Sequence, residues 1–210
     1  MQIGYACSLS RHHRACIRQG RVRMSSQPNN RYSGIAIALH WVMAVLMLGN
    51  IVLIWIVDEL PDERVRLAID THKSIGITVL GLFILRLLWR LGHRPPALDE
   101  LAPWERLAAK LGHIGLYALL LAMPLSGWLH DSAWKDAATH PMSLFGMVPW
   151  PRIGFIMDLE PALKEQLHAL FGDMHELLAD GFYVLFALHV LGALKHQFVD
   201  RQKLLQRMWF

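Results

Sequence analysis

Cysteine is nearly missing. The 210 residues hold two, Cys7 and Cys16, both close to the start. A disulfide framework and a thiolate metal site in the body of the chain are therefore excluded. Neither cysteine opens a C-x-x-C-H sequence, so covalent attachment of a c-type haem is excluded too. Charge is also scarce: 18% of residues are charged and 54% hydrophobic, too apolar for an ordinary soluble domain of this length. No stretch alternates apolar and polar residues as the strands of a membrane barrel must. There is no internal repeat, no low-complexity tract, and no continuous apolar segment near the N-terminus of the kind a signal peptide carries.

What the chain does have is long apolar runs, over 34–57, 72–89, 107–129 and 177–194. A helix needs about 20 mostly apolar residues to cross a bilayer. The runs predict an all-α membrane protein, a bundle of four transmembrane helices at about 34–57, 72–91, 107–129 and 172–198, within one domain over 31–210. Residues 1–30 form a basic N-terminal extension, expected to be disordered, with Met24 as an alternative start.

Lys and Arg set the expected orientation. Segments 1–33, 86–110 and 195–210 hold 15 of the 21, while 58–71 has five acids against two Arg and 130–173 six acids against three basic residues. By the positive-inside rule both termini face the cytoplasm. The net charge of +4 is then a basic membrane rim, and no nucleic-acid partner is implied. The loop 130–171 is rich in aromatic residues, Met and Pro, suited to lying near headgroups, and 161–171 reads as a short helix opened by Pro161.

The histidines do not fit a purely lipid-facing bundle. Ionisable groups in membrane helices are costly and face the interior where they serve a purpose. His175 and His189 are 14 residues apart, which at 100° and 1.5 Å per residue puts them within about 40° on one face and about 21 Å apart in depth. His40 lies six residues into the first run from the cytoplasmic side, and His189 six residues before Lys195, so both sit about 9 Å below that boundary. His72 opens the second run and His175 precedes the fourth, both at the outer side. Depth therefore pairs His40 with His189 and His72 with His175. His196 shares the face but falls past Lys195, too shallow to meet His40.

Two pairs at two depths suit two stacked bis-histidine haems, one iron per pair. Zinc or copper remains an alternative use of the same residues, in a metal-ion transporter or sensor. A tetrahedral zinc site, however, wants three or four ligands at one depth. Arg86 follows His72 by 14 residues on the same face at the inner level, placed for a haem propionate or for headgroups. Gly76 and Gly192 lie within a turn of His72 and His189, where a flat macrocycle needs room.

The sequences "ALHW", "DTHKSIG", "LGHIGLYALLLAMPLSG", "MHELLADGFYVLFALH" and "ALKHQF" together resemble the bacterial cytochrome b561 family, from about Arg31 to Met208. The resemblance implies an inner-membrane protein with two non-covalent haem b groups and the axial ligands His40, His72, His175 and His189. Some members are similar to superoxide oxidases, which take electrons from periplasmic superoxide and reduce ubiquinone, and there the residue matching His196 stands near the quinone. For an anionic substrate the net acidic outer loops would need a local positive patch, from Lys73, Lys135, Arg152 or Lys164. A second function is a haem subunit linking a partner dehydrogenase to the quinone pool, docked through the long outer loop.

Overall fold

The computed structural model describes residues 31–93, 96, 101–202 and 204–209. The extension 1–30, and most of the proline-rich turn after residue 93, lie outside the described residues. The chain forms α1 (Gly34–Trp55), α2 (Asp62–Gly92), α3 (Pro103–Ser132), the one-turn α4 (Gly154–Met157) and α5 (Pro161–Leu194), with a short hairpin, β1 (Ser143–Leu144) and β2 (Val148–Pro149). Four helices are long and apolar enough to cross a membrane. α1 packs along α2, α2 against α3, and α3 along α5.

Membrane-length apolar runs drive these helices, and local chemistry sets their ends. α2 begins ten residues before the run at 72: Pro61 directs the chain, and Asp62 and Glu63 fill a first turn that favours negative charge. The acidic connection is thus mostly helix. α3 starts at Pro103, with the Glu105 carboxylate accepting from the Ala102 amide at 3.3 Å, and runs three residues past 129. The expected short helix at 161–171 is no separate element. Glu160 caps α5 by accepting from the Ala162 and Leu163 amides, and the helix continues through Gly172 without a break. At 34 residues α5 is about 51 Å long, well beyond a hydrocarbon core of about 30 Å. It closes in a π-helical turn, Lys195–Val199.

The bundle is apolar outward as well as inward. Leu91, Leu177 and Leu188 are 78%, 71% and 59% exposed, as lipid contact requires. Inside, Met43, Val79 and Phe83 form a buried cluster, flanked by Leu46, Ile75 and Tyr117.

Both ends of the bundle are tied off. At the end where residues 31 and 209 lie, called the terminal end, the Tyr32 amide donates to Arg207 O at 3.2 Å, Trp41 Nε1 to Met208 O at 2.7 Å, and the Arg31 guanidinium to Trp209 O. At the loop end, the hairpin turns through Phe145 and Gly146, with φ of 51° and 69°. The Phe145 amide donates to Ser74 Oγ at 2.9 Å and the Ile153 amide to Ser132 Oγ at 3.1 Å. The loop therefore closes over the bundle.

Candidate functional site

The four histidines paired by depth do meet in pairs. The rings of His40 (α1) and His189 (α5) have centroids 6.3 Å apart and planes at 76°. Those of His72 (α2) and His175 (α5) are 6.2 Å apart at 80°. Two imidazoles bound to one metal ion from opposite sides, with metal–nitrogen bonds of about 2.0 Å, hold their ring centres about 6 Å apart. Both spacings match.

Neighbouring groups support metal ligation at the loop-end pair. Ser126, fully buried, donates its single hydroxyl proton to Met123 O at 2.8 Å. The same oxygen lies 2.9 Å from His175 Nδ1 and so accepts from it. Nδ1 carries the proton, and Nε2 keeps a lone pair for a metal. His72 Nδ1 is buried with no hydrogen-bond partner, and Asn50 Oδ1 is likewise unpaired. A Cβ built on Gly127 would lie 3.2 Å from His175 Cε1, so the glycine lets α3 approach the ring. A Cβ on Gly76 or Gly192 would meet nothing within 4 Å, which leaves open space beside both pairs for a flat group.

At the terminal end a third imidazole joins the pair. His113 of α3 has its ring 5.5 Å from that of His189, closer than His40. The sequence signal for it was its depth near the inner side of the third run. Arg86 reaches the same region: Nε donates to the Tyr117 hydroxyl at 3.2 Å and Nη1 to Ala36 O at 3.0 Å, and its charge acts on all three rings. A guanidinium anchored by neutral acceptors keeps its positive charge for an anionic group.

Three histidines at one level are what the zinc alternative would need, yet their ligand atoms do not converge. Among the described residues, only Glu105, His196 and Asp200 place possible ligand atoms within 4.8 Å of one another. There the Lys195 ammonium already bridges both carboxylates. His196 stands apart from the pairs, its Nδ1 2.7 Å from Asp200 Oδ2 in the π-helical turn.

The expected positive patch at the loop end is largely spent. Lys73 Nζ and Arg152 Nε both lie 2.7 Å from the Asp131 carboxylate, one on each oxygen. Arg152 also donates to Ala137 O and His140 O, and its side chain is only 5% exposed. Arg152 fastens the loop and offers nothing to a diffusing anion. Lys135 and Lys164 remain, lining a shallow cleft that also holds Glu165. Asp131 was not among the expected site residues; its position as an acid at the end of an apolar helix was the available signal.

Membrane-spanning helices with facing interior histidines are the architecture of a b-type membrane cytochrome. Residues 31–210 match the family described as prokaryotic cytochrome b561. The chain is 37% identical to cytochrome b561 homolog 2 of Escherichia coli K12, over 85% of this chain and 90% of that protein. It is 28% identical to cytochrome b561 homolog 1 of the same organism, over 85% and 97%. It is also 28% identical to the probable superoxide oxidase CybB of Yersinia pestis, over 86% and 96%. The chain belongs to the prokaryotic cytochrome b561 family, multi-pass bacterial membrane proteins that bind b-type haem and transfer electrons.

His113 separates two uses of the terminal-end cluster. If His40 and His189 are the axial pair, His113→Ala keeps full haem content and shifts only the midpoint potential of one haem, as loss of a neighbouring polar group does. Redox titration of the purified variant beside a pyridine haemochrome count checks this; loss of a haem would make His113 a ligand.

Proposed function

We propose that the protein carries electrons between two b-type haems, from superoxide on the periplasmic side to ubiquinone on the cytoplasmic side of a bacterial inner membrane. The observation that carries this reading is the pair of ring separations near 6 Å, at two depths, each joining α5 to another helix. His72 and His175 would hold one haem and His40 and His189 the other, with Arg86 facing a propionate. A haem held between two imidazoles supplies one-electron transfer without an open axial position.

The remaining work falls to the chain's own residues. Ser126 holds His175 in one tautomer. The loop over Ser74 and Ser132 shields the loop-end pair from bulk water. The distribution of Lys and Arg supports a cytoplasmic position for this end of the bundle, and with it His196. Reduction of a quinone consumes protons, and His196, hydrogen-bonded through Nδ1 to Asp200, presents its other nitrogen to a quinone oxygen. The similarity to a protein named a probable superoxide oxidase supports superoxide as donor, and Lys135 and Lys164 are the cations left to attract it.

Stopped-flow mixing tests the reading directly. Oxidised protein should show a low-spin b-type reduced spectrum after mixing with superoxide, at about two haems per chain. His196→Ala should be reduced as fast as the wild type yet be reoxidised about tenfold more slowly by a soluble ubiquinone analogue, a barrier change of about 1.4 kcal/mol. Unchanged reoxidation removes His196 from the quinone site. Wild-type protein that superoxide does not reduce, but that a quinol does, points to a partner dehydrogenase as donor. A colourless folded preparation overturns the haem assignment.

A further inference from the structure

Charge is divided unequally between the two ring pairs. At the terminal end Arg86 of α2, half-buried, lies within a helical turn of two of the histidines. Its Nη1 donates to Ala36 O, four residues before His40, and its Nε to the hydroxyl of Tyr117, four residues after His113. Both partners are neutral oxygens, so the positive charge is not cancelled. That charge acts on His40, His113 and His189, the charge of Arg90 acts on His113, and among the described residues no carboxylate acts on any of the three. At the loop end the cations are answered. Lys73 and Arg152 share the Asp131 carboxylate, Asp70 lies 3.6 Å from the same Lys73 ammonium, and the charge of Glu176 acts on His175. The ring hydrogen bonds differ as well: His175 Nδ1 donates to Ser126 Oγ, whereas among the described residues no oxygen accepts from His40 or His189.

We propose that Arg86 sets the direction of electron flow: the haem between His40 and His189 has the higher midpoint potential, so an electron that enters at the loop end runs downhill to the terminal end. The inference rests on the ligation proposed above. Both sites offer the same two axial imidazoles, and each haem carries the same iron and propionates, so a difference in potential must come from the surrounding chain. Oxidised iron holds one more positive charge than reduced iron. An uncompensated guanidinium in a medium of low dielectric therefore disfavours the oxidised form and raises the potential, while Asp131, Asp70 and Glu176 offset the cations at the other end. The Ser126 bond acts alongside. An imidazole that donates through Nδ1 is a more basic ligand and favours oxidised iron, which lowers the potential of the loop-end haem. In the transfer step the loop-end iron goes from ferrous to ferric and the terminal-end iron from ferric to ferrous; one electron passes and no bond forms or breaks.

The test is an anaerobic redox titration of the haem-loaded full chain in detergent, followed by the optical spectrum of the b-type haem. The wild type should titrate in two one-electron steps. In His72→Ala or His175→Ala, which keep only the terminal-end haem, the remaining step should be the one at the higher potential. Arg86→Gln should lower that step by about 59 mV or more, a tenfold shift in the ratio of reduced to oxidised haem, and leave the lower step in place. Arg86→Lys, which keeps the charge, should retain most of the wild-type value, whereas a purely structural arginine would give the two variants the same potentials. Should Arg86→Gln lose its haem, the order of the steps in the wild type and in the histidine variants still decides. A remaining step at the lower potential in His72→Ala and His175→Ala, or two unchanged midpoints in Arg86→Gln, overturns the proposal. Loss of both haems in both histidine variants overturns the ligation itself, and the proposal with it.

Discussion

His72→Ala and His175→Ala are each expected to lower haem content from about two to about one per chain, removing the same spectral component, while His189→Ala removes the other. An iron that loses one of two axial imidazoles keeps a single protein bond and gains an open position, so the haem is weakly held and its low-spin signature is lost. His175 and His189 lie 14 residues apart along α5, about 21 Å by helical rise, so one loss should leave the other haem in place. Ser126→Ala sharpens the expectation. Without the hydroxyl that accepts from His175 Nδ1, the ring is no longer held in orientation, and affinity for the loop-end haem alone should fall about 10- to 100-fold. His40→Ala differs in one respect, because His113 already lies 5.5 Å from the His189 ring and is placed to take the vacant position. The His40→Ala, His113→Ala double variant should then lose more haem than His40→Ala. Pyridine haemochrome counts and low-temperature spectra of the purified variants check each step. If His40→Ala and His175→Ala removed the same component, the pairing would be wrong.

Asp131→Asn should destabilise the loop end by about 3–5 kcal/mol, the cost of removing one partner from a buried ionic cluster. Asp131 and Arg152 are each 5% exposed, so neither has water to fall back on. The amide would leave Lys73 and Arg152 as neighbouring cations with no carboxylate between them. The Lys195 cluster at the other end, with the lysine side chain 44% exposed, should tolerate substitution far better because solvent screens it. Asp131 also fastens the loop through Arg152, so the loss should appear first as opening of residues 133–153 in hydrogen exchange, and then as a lower thermal midpoint. An Arg152→Met, Asp131→Asn double variant should recover part of the loss, since it removes a stranded charge together with its partner. Equal stability of Asp131→Asn and wild type would mean that Lys73 and Arg152 find water or other acceptors when the carboxylate is gone.

The helices were legible because a bilayer imposes a length on apolar runs, and the histidine depths because helical rise is constant. Helix ends were less legible. α2 starts at Asp62 since charged residues continue a helix beyond the apolar span as readily as they end one, and α5 runs through Gly172 because packing against α3 outweighs the weak helix propensity of a single glycine. Partners formed across helices left almost no trace in one dimension. Nothing in "LAMPLSGWLHD" announces that Ser126 will reach His175, or that Asp131 will gather Lys73 and Arg152 from elsewhere in the chain. Two of the four cations expected to form a positive patch, Lys73 and Arg152, are engaged for that reason: a basic residue was counted as free charge before its acid could be known.

α5 contributes one imidazole to each ring pair, and it leaves the ribosome after α1, α2 and α3. On the proposed ligation, α1, α2 and α3 can enter the membrane and pack while each holds at most half of a coordination sphere. Cofactor loading must therefore wait for α5. A nascent protein stalled before residue 175 would be an inserted but colourless intermediate, and one stalled between 175 and 189 would have the ligands for one haem only. Assembly of the redox chain is thereby ordered in time, beginning at the end farther from the termini.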